Sequence, residues 1–172
     1  MTQIQKPLPD DELAQFWNCL NGECAPIKWP SINIINDGSA SGTLIGGNLS
    51  VFQAMIGTPH LPPQRKSPYI LFFEDVGDEL SRYDRMLAHM RQSGWLEHAS
   101  ALLFGDFHST DNLARVPFGR SMDEIIRENT AGLDIPIATE CPFGHRGHLW
   151  TLPVGMNSNI EVKENFLMLS PN

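Results

Sequence analysis

The chain has 172 residues, and 12 Lys+Arg against 20 Asp+Glu give a formal charge of −8 with the histidines neutral. That length supports one domain with a real core, and 41% hydrophobic with 19% charged residues is the composition of a soluble globular chain rather than a disordered one. The acidic balance and the lack of any Lys/Arg run argue against nucleic acid, whose affinity comes from clustered cations. No apolar run approaches the ~20 residues of a transmembrane helix, and the N-terminus lacks the apolar stretch of a signal peptide. Three cysteines, an odd number, supply no disulfide framework. A soluble, cytoplasmic protein without membrane or nucleic-acid partners is the expectation.

Residues 1–12 are polar, carry two prolines and read as a flexible lead-in. Leu13, Phe16, Trp17 and Leu20 recur at helical spacing, and Gly22 is placed to end that helix. A Pro-bearing stretch over 26–30 leads into a β-rich run at 32–35, and Asp37-Gly38-Ser39 supplies a turn. Residues 43–48 read as a strand that breaks at Gly46 and Gly47 and opens a helix to about Ile56, with Asn48 as its N-cap. The uninterrupted apolar run 69–73 is the pattern of a strand covered on both faces, and it ends in Glu74 and Asp75. Leu80, Tyr83, Met86, Leu87 and Met90 then follow a helical period, with Gly94 where a C-terminal cap belongs. A second apolar strand spans 101–104 and ends in Gly105-Asp106-Phe107. Ser121 and Glu124 form a capping box for a helix over about 122–129. A short strand at 135–138 precedes the loop 141–148, and 150–154, 159–162 and 166–169 read as antiparallel β. Alternating strands and helices in the middle imply right-handed crossovers and a parallel sheet, flanked by antiparallel strands. The fold class is α/β with a mixed sheet arrangement.

Glu74 and Asp75 fall at a strand's carboxyl end, where ligands and catalytic groups gather in open α/β sheets. The simpler reading is that both acids favour the N-terminus of the helix that follows. His145, in a Gly-rich loop after another strand, is of the right type for a general base, since an unperturbed imidazole titrates near pH ~6.5. His148 raises a zinc reading with His145 and a carboxylate, but the chain has no H-E-x-x-H and no Cys pair to support it. Gly46-Gly47-Asn48 is neither a P-loop nor a complete G-x-G-x-x-G, so a tight turn is the simpler reading than an anion site. Cys141 lies near His145 in sequence, yet a buried inert cysteine is the commoner case, and Cys19 and Cys24 have no evident activating partner. A serine nucleophile is not found: there is no G-x-S-x-G, and Ser50 would sit inside a first helical turn.

Three ordered motifs carry a resemblance. They are Gly42-Thr-Leu-Ile-Gly-Gly-Asn-Leu49, Ile70-Leu-Phe-Phe-Glu-Asp-Val76 with Tyr83-Asp-Arg-Met-Leu87, and Phe143-Gly-His145 with Leu152-Pro-Val-Gly155. From about residue 33 to 169 the chain resembles the C-terminal half of LD-carboxypeptidases, a serine peptidase family that includes the microcin C self-immunity peptidases. The resemblance implies a two-domain enzyme. An N-terminal α/β domain would carry the serine and the oxyanion-hole amides, and a swivelling β/β/α C-terminal domain would add the glutamate and histidine of a Ser-Glu-His triad. Those two roles fall on Glu74 and His145; His148 matches no catalytic position.

The implied substrates are muropeptide tetrapeptide stems, cut between an L-centre and a terminal D-alanine, or peptidyl-nucleotide antibiotics in the microcin branch. On this reading residues 1–32 are a lead-in and linker helix and 33–172 the C-terminal domain, with no cofactor and no metal. The expected partner is an N-terminal nucleophile domain, on a second chain if need be; self-association stays open. A base and its orienter without a nucleophile do not catalyse acyl transfer, and loss of the nucleophile from such a triad costs on the order of a million-fold. The alternative is a non-catalytic domain that binds a peptide or a partner protein. Arg65, Arg85 and Arg146 are the candidates for holding a substrate carboxylate.

Overall fold

In the computed structural model, residues 7–61, 67–109, 116–145 and 149–172 are described. The elements in chain order are α1 (Asp10–Leu20), β1 (Ile27–Pro30), β2 (Asn33–Asn36), β3 (Gly38–Asn48), α2 (Leu49–Met55) and β4 (Tyr69–Asp78). Then follow α3 (Leu80–Gln92), β5 (Ala101–Ser109), α4 (Met122–Thr130), β6 (Ile137–Thr139), β7 (Asn157–Lys163) and β8 (Phe166–Pro171). The strands join in one sheet of order β1-β8-β7-β3-β4-β5-β6-β2. Its centre, β3 to β6, is parallel, and both flanks are antiparallel, as the alternation of elements implied.

The continuous apolar run of β4 exists because both faces of this strand are covered. Tyr69, Leu71 and Phe73 pack with Leu87, Met90 and Ile125 from the helical layer. Ile70 and Phe72, one residue out of step, pack with Trp29, Phe143 and Leu167 on the opposite face. The β3–β4 pairing demands a glycine at position 46: a Cβ there would lie 1.8 Å from the Phe72 carbonyl oxygen, and its φ is +154°. The helix starts follow the sequence. The Asn48 side chain accepts from Val51 N at 3.1 Å, and Ser121 and Glu124 complete a reciprocal capping box.

Four features differ from the sequence reading. β4 and β5 run past their apolar segments to Asp78 and Ser109, so Glu74 and Asp75 lie within β4 rather than after it. Residues 27–30 form an edge strand on β8, with Pro30 at its end, where a missing N–H interrupts no interior ladder. Residues 150–154 form no strand; the segment is pinned to β3 by Gly155 N to Leu44 O at 2.8 Å and Leu44 N to Met156 O at 2.9 Å. Cys19 and Cys24 are disulfide-bonded, which corrects the expectation of no bridge: the chain turns back at Gly22 and brings the two together.

Helix α1 sits with its polar face inward. Glu12 and Gln15 are buried, accepting from Leu149 N at 2.8 Å and donating to Ala25 O at 3.1 Å respectively. Its apolar stripe faces outward, with Trp17 56% and Leu20 63% exposed beside Leu13 and Phe16. No helix among the described residues is long and apolar enough to cross a membrane.

Candidate active site

Glu74 is placed by β4, one of the most constrained segments of the sheet, with β3 on one side and β5 on the other. It stands opposite Asn48 in register, where β3 gives way to α2. Asp75, its neighbour, points to the other face and is buried. Its carboxylate accepts from Asn48 Nδ2 at 2.9 Å, from Ser50 N at 2.8 Å and from Val76 N at 2.8 Å. Asp75 is therefore occupied in tying β4 to the start of α2, the helix before it in the chain rather than the one that follows, and Glu74 alone is turned to the loop after β6.

That loop is held from below. Cys141 N donates to Phe104 O at 3.0 Å and Asp106 N to Phe143 O at 2.9 Å. The Phe143 ring packs against Phe72 and Trp29, each with centroids 5.7 Å away. Gly105 makes this approach possible, since a Cβ there would meet the Phe143 carbonyl oxygen at 2.3 Å. The seated loop then presents His145, whose Nδ1 is hydrogen-bonded to Glu74 Oε2. With Nδ1–H assigned as donor to the carboxylate, the basic lone pair of the neutral ring resides on Nε2. The Glu74 side chain is 12% exposed and that of His145 40%, a buried acid beneath a more accessible base.

Burial pushes the Glu74 carboxyl above the ordinary carboxylate range, and the charges of Asp75 and Asp106 add to this while the His145 contact opposes it. The half-buried carboxyl thus faces a side chain able to carry positive charge, and His145 is the one that reaches it.

The two residues expected from sequence to work together are thus in contact. His148, Arg65 and Arg146 lie outside the described residues. Arg85 is exposed on α3, and no interaction joins it to the pair. Cys141 is buried, burial pushes its thiol strongly up, and no bond links it to His145, so a Cys–His pair does not form. Among the described residues no cluster of three or more His, Cys, Asp or Glu is placed to hold a metal ion. Sequence reasoning passed over Asp106, whose charge reaches Glu74. Its signal was the one used for Glu74, an acid closing an apolar strand.

Fold and site together define an α/β domain with a carboxylate–imidazole pair at the carboxyl end of its sheet. Residues 41–160 match the family described as the LD-carboxypeptidase C-terminal domain, and the chain belongs to that family. The murein tetrapeptide carboxypeptidase of Pseudomonas aeruginosa is 32% identical over 123 residues, covering 70% of this chain and 38% of that one. The crystal structure of a muramoyltetrapeptide carboxypeptidase from Oxalobacter formigenes has a TM-score of 0.81 and 31% identity, covering 98% of this chain and 57% of its own. A structure of the microcin C7 self immunity protein has a TM-score of 0.77 at 19% identity over 98% of this chain and 57% of that one, a likeness of fold alone. The chain spans about half the length of the curated relatives it matches.

Proposed function

We propose that this domain supplies the general base and its orienter to a serine peptidase site that hydrolyses muropeptide stems at an L–D bond. The observation that carries the reading is the Glu74–His145 hydrogen bond, made from within a central strand at the level where its neighbour β3 ends, in a chain of this family. His145 Nε2 takes the proton of a serine as it attacks the scissile carbonyl and returns it to the leaving amine. Glu74 fixes the tautomer through Nδ1–H and stabilises the imidazolium as it forms. The serine and the oxyanion donors belong to the N-terminal domain of the family, on this polypeptide or on a second one. The outward stripe of Leu13, Phe16, Trp17 and Leu20 on α1 is the surface this reading assigns to that domain, because exposed apolar area of this kind marks an interaction site.

The test is release of D-alanine from a muramoyltetrapeptide by this chain together with a nucleophile domain taken from a relative. His145→Ala is expected to lower turnover by about a thousand-fold or more, and Glu74→Gln by a comparable amount through loss of the correct tautomer. Equal release with and without His145 removes the assignment. The family resemblance carried by the sequence motifs implies a second substrate class, peptidyl-nucleotide conjugates, and the same assay with such a conjugate separates the two.

A further inference from the structure

Between Phe73 and Asp75 of β4 stands one residue, Glu74; between their partners Phe104 and Phe107 on β5 stand two, Gly105 and Asp106. β5 therefore bulges at the level of the Glu74–His145 pair. Bulges gather beside active sites, where the extra residue re-aims a side chain. We propose that Asp106 is a positioning residue of this pair, a second carboxylate that the bulge turns toward it to favour the protonated ring of His145. The proposal rests on the peptidase reading above for its purpose, and on separate observations for the placement of Asp106.

The faces of β5 show what the extra residue does. Phe104 and Phe107 are three positions apart, yet both pack in the helical-side core, with ring centroids 6.3 Å apart. Regular alternation would send them to opposite faces. The two residues between them both meet the loop that carries His145. A Cβ at Gly105 would lie 2.3 Å from the Phe143 carbonyl oxygen, and one at Gly144 would lie 2.9 Å from Asp106 Cβ. The Asp106 side chain thus leaves β5 against the residue before His145, across from Glu74 on a strand about 5 Å away. Its charge reaches Glu74.

Asp106 holds the loop through its backbone, whose N–H donates to Phe143 O at 2.9 Å. Its half-buried carboxylate takes no hydrogen bond and no ion pair among the described residues. The fold therefore gains nothing from this charge by pairing it. A fixed negative charge beside an imidazole favours the imidazolium, however. In the triad cycle the ring is cationic while it holds the serine proton, so the effect is larger in the transition state than in the ground state. The other charges nearby are placed differently. β3 and α2 carry no titratable side chain. Asp75 is buried among the donors of Asn48 and Ser50, and Asp78 is paired with Arg82. Glu140 is exposed beyond β6, and Cys141 is a buried thiol. β5 adds only His108, opposite Val76.

The test uses this chain alone, with the histidine ring protons followed by NMR from about pH 4 to 9. Asp106→Asn is expected to lower the His145 midpoint by about half a pH unit, about threefold in proton affinity. His98, which precedes β5 at the far end of the strand, should not move. Asp106→Ser should act as Asp106→Asn does, and Asp106→Glu, which keeps the charge, should stay within about 0.2 of the parent. Both uncharged variants should melt within about 2 °C of the parent, because the carboxylate has no partner to lose. In the complemented assay Asp106→Asn should lower kcat about three- to tenfold with KM unchanged, and move the acid limb of the pH profile down by about the same half unit. A His145 midpoint unmoved by loss of the charge, or an equal fall in Asp106→Glu, would overturn the proposal. So would uncharged variants that fail to fold, by showing a structural role. An unmoved midpoint with D-alanine release still dependent on His145 leaves the peptidase reading standing. A shifted midpoint without such release removes that reading and leaves the influence of Asp106 on the ring.

Discussion

Gly105→Ala puts a single methyl group where β5 and the His145 loop meet. The new Cβ would lie 2.3 Å from the Phe143 carbonyl oxygen and 2.5 Å from two of its ring carbons. Ordinary contact begins near 3.4 Å, so the loop or the strand must yield by about 1 Å. The ring has no easy retreat, because Phe72 and Trp29 stand on it. The carbonyl cannot move without stretching its 2.9 Å bond from Asp106 N. Overpacking of this kind costs about 1–3 kcal/mol, and a weakened buried hydrogen bond adds about 1 kcal/mol. For a chain of this size a total of about 2–4 kcal/mol lowers Tm by roughly 5–15 °C, which far-UV circular dichroism reads directly. Adding Phe143→Leu should restore only part of the loss, because it removes the ring contacts and leaves the carbonyl contact in place. In the complemented assay D-alanine release should fall further than stability explains, since His145 is displaced with its loop. A melting temperature within about 2 °C of the parent would refute the reasoning, for it would mean that the loop rests loosely and His145 is not placed by this packing.

Asp75→Ala should cost about 2–4 kcal/mol in urea unfolding, because it strands the donors of Asn48 and Ser50 at the start of α2; a loss under about 1 kcal/mol would contradict that. The folded state holds the Glu74 proton more tightly than the unfolded chain does, so this group's contribution declines as pH rises from the ordinary carboxylate range through its raised folded value. Thermal profiles from about pH 4 to 7 should therefore fall more steeply for the parent than for Glu74→Gln, and parallel profiles would contradict the burial argument. Ser121→Ala removes the cap of α4 and should cost about 1 kcal/mol, read as a small loss of Tm. Trp17→Ala should leave folding within about 0.5 kcal/mol while weakening complementation by a nucleophile domain; unchanged complementation would free α1 from that role.

The parallel centre of the sheet, its helices and the capping residues Asn48 and Ser121 were legible in the sequence, because apolar period and side-chain capping are local properties of a segment. The motifs around Glu74 and His145 carried the family from sequence alone, and residues 41–160 match it. What the pattern did not disclose depends on partners distant in the chain. The 27–30 strand exists through β8, and the inverted seating of α1 through Ala25 and Leu149. The Cys19–Cys24 bridge is the local exception: the turn at Gly22 joins two cysteines five positions apart, which an odd cysteine count did not disclose. Most consequentially, only the tertiary structure decided that Glu74 meets His145 across 71 residues of sequence while Asp75, one position on, is spent on α2. Strand alternation sends neighbouring side chains to opposite faces, and the far-away segments that wait there give two adjacent acids different work.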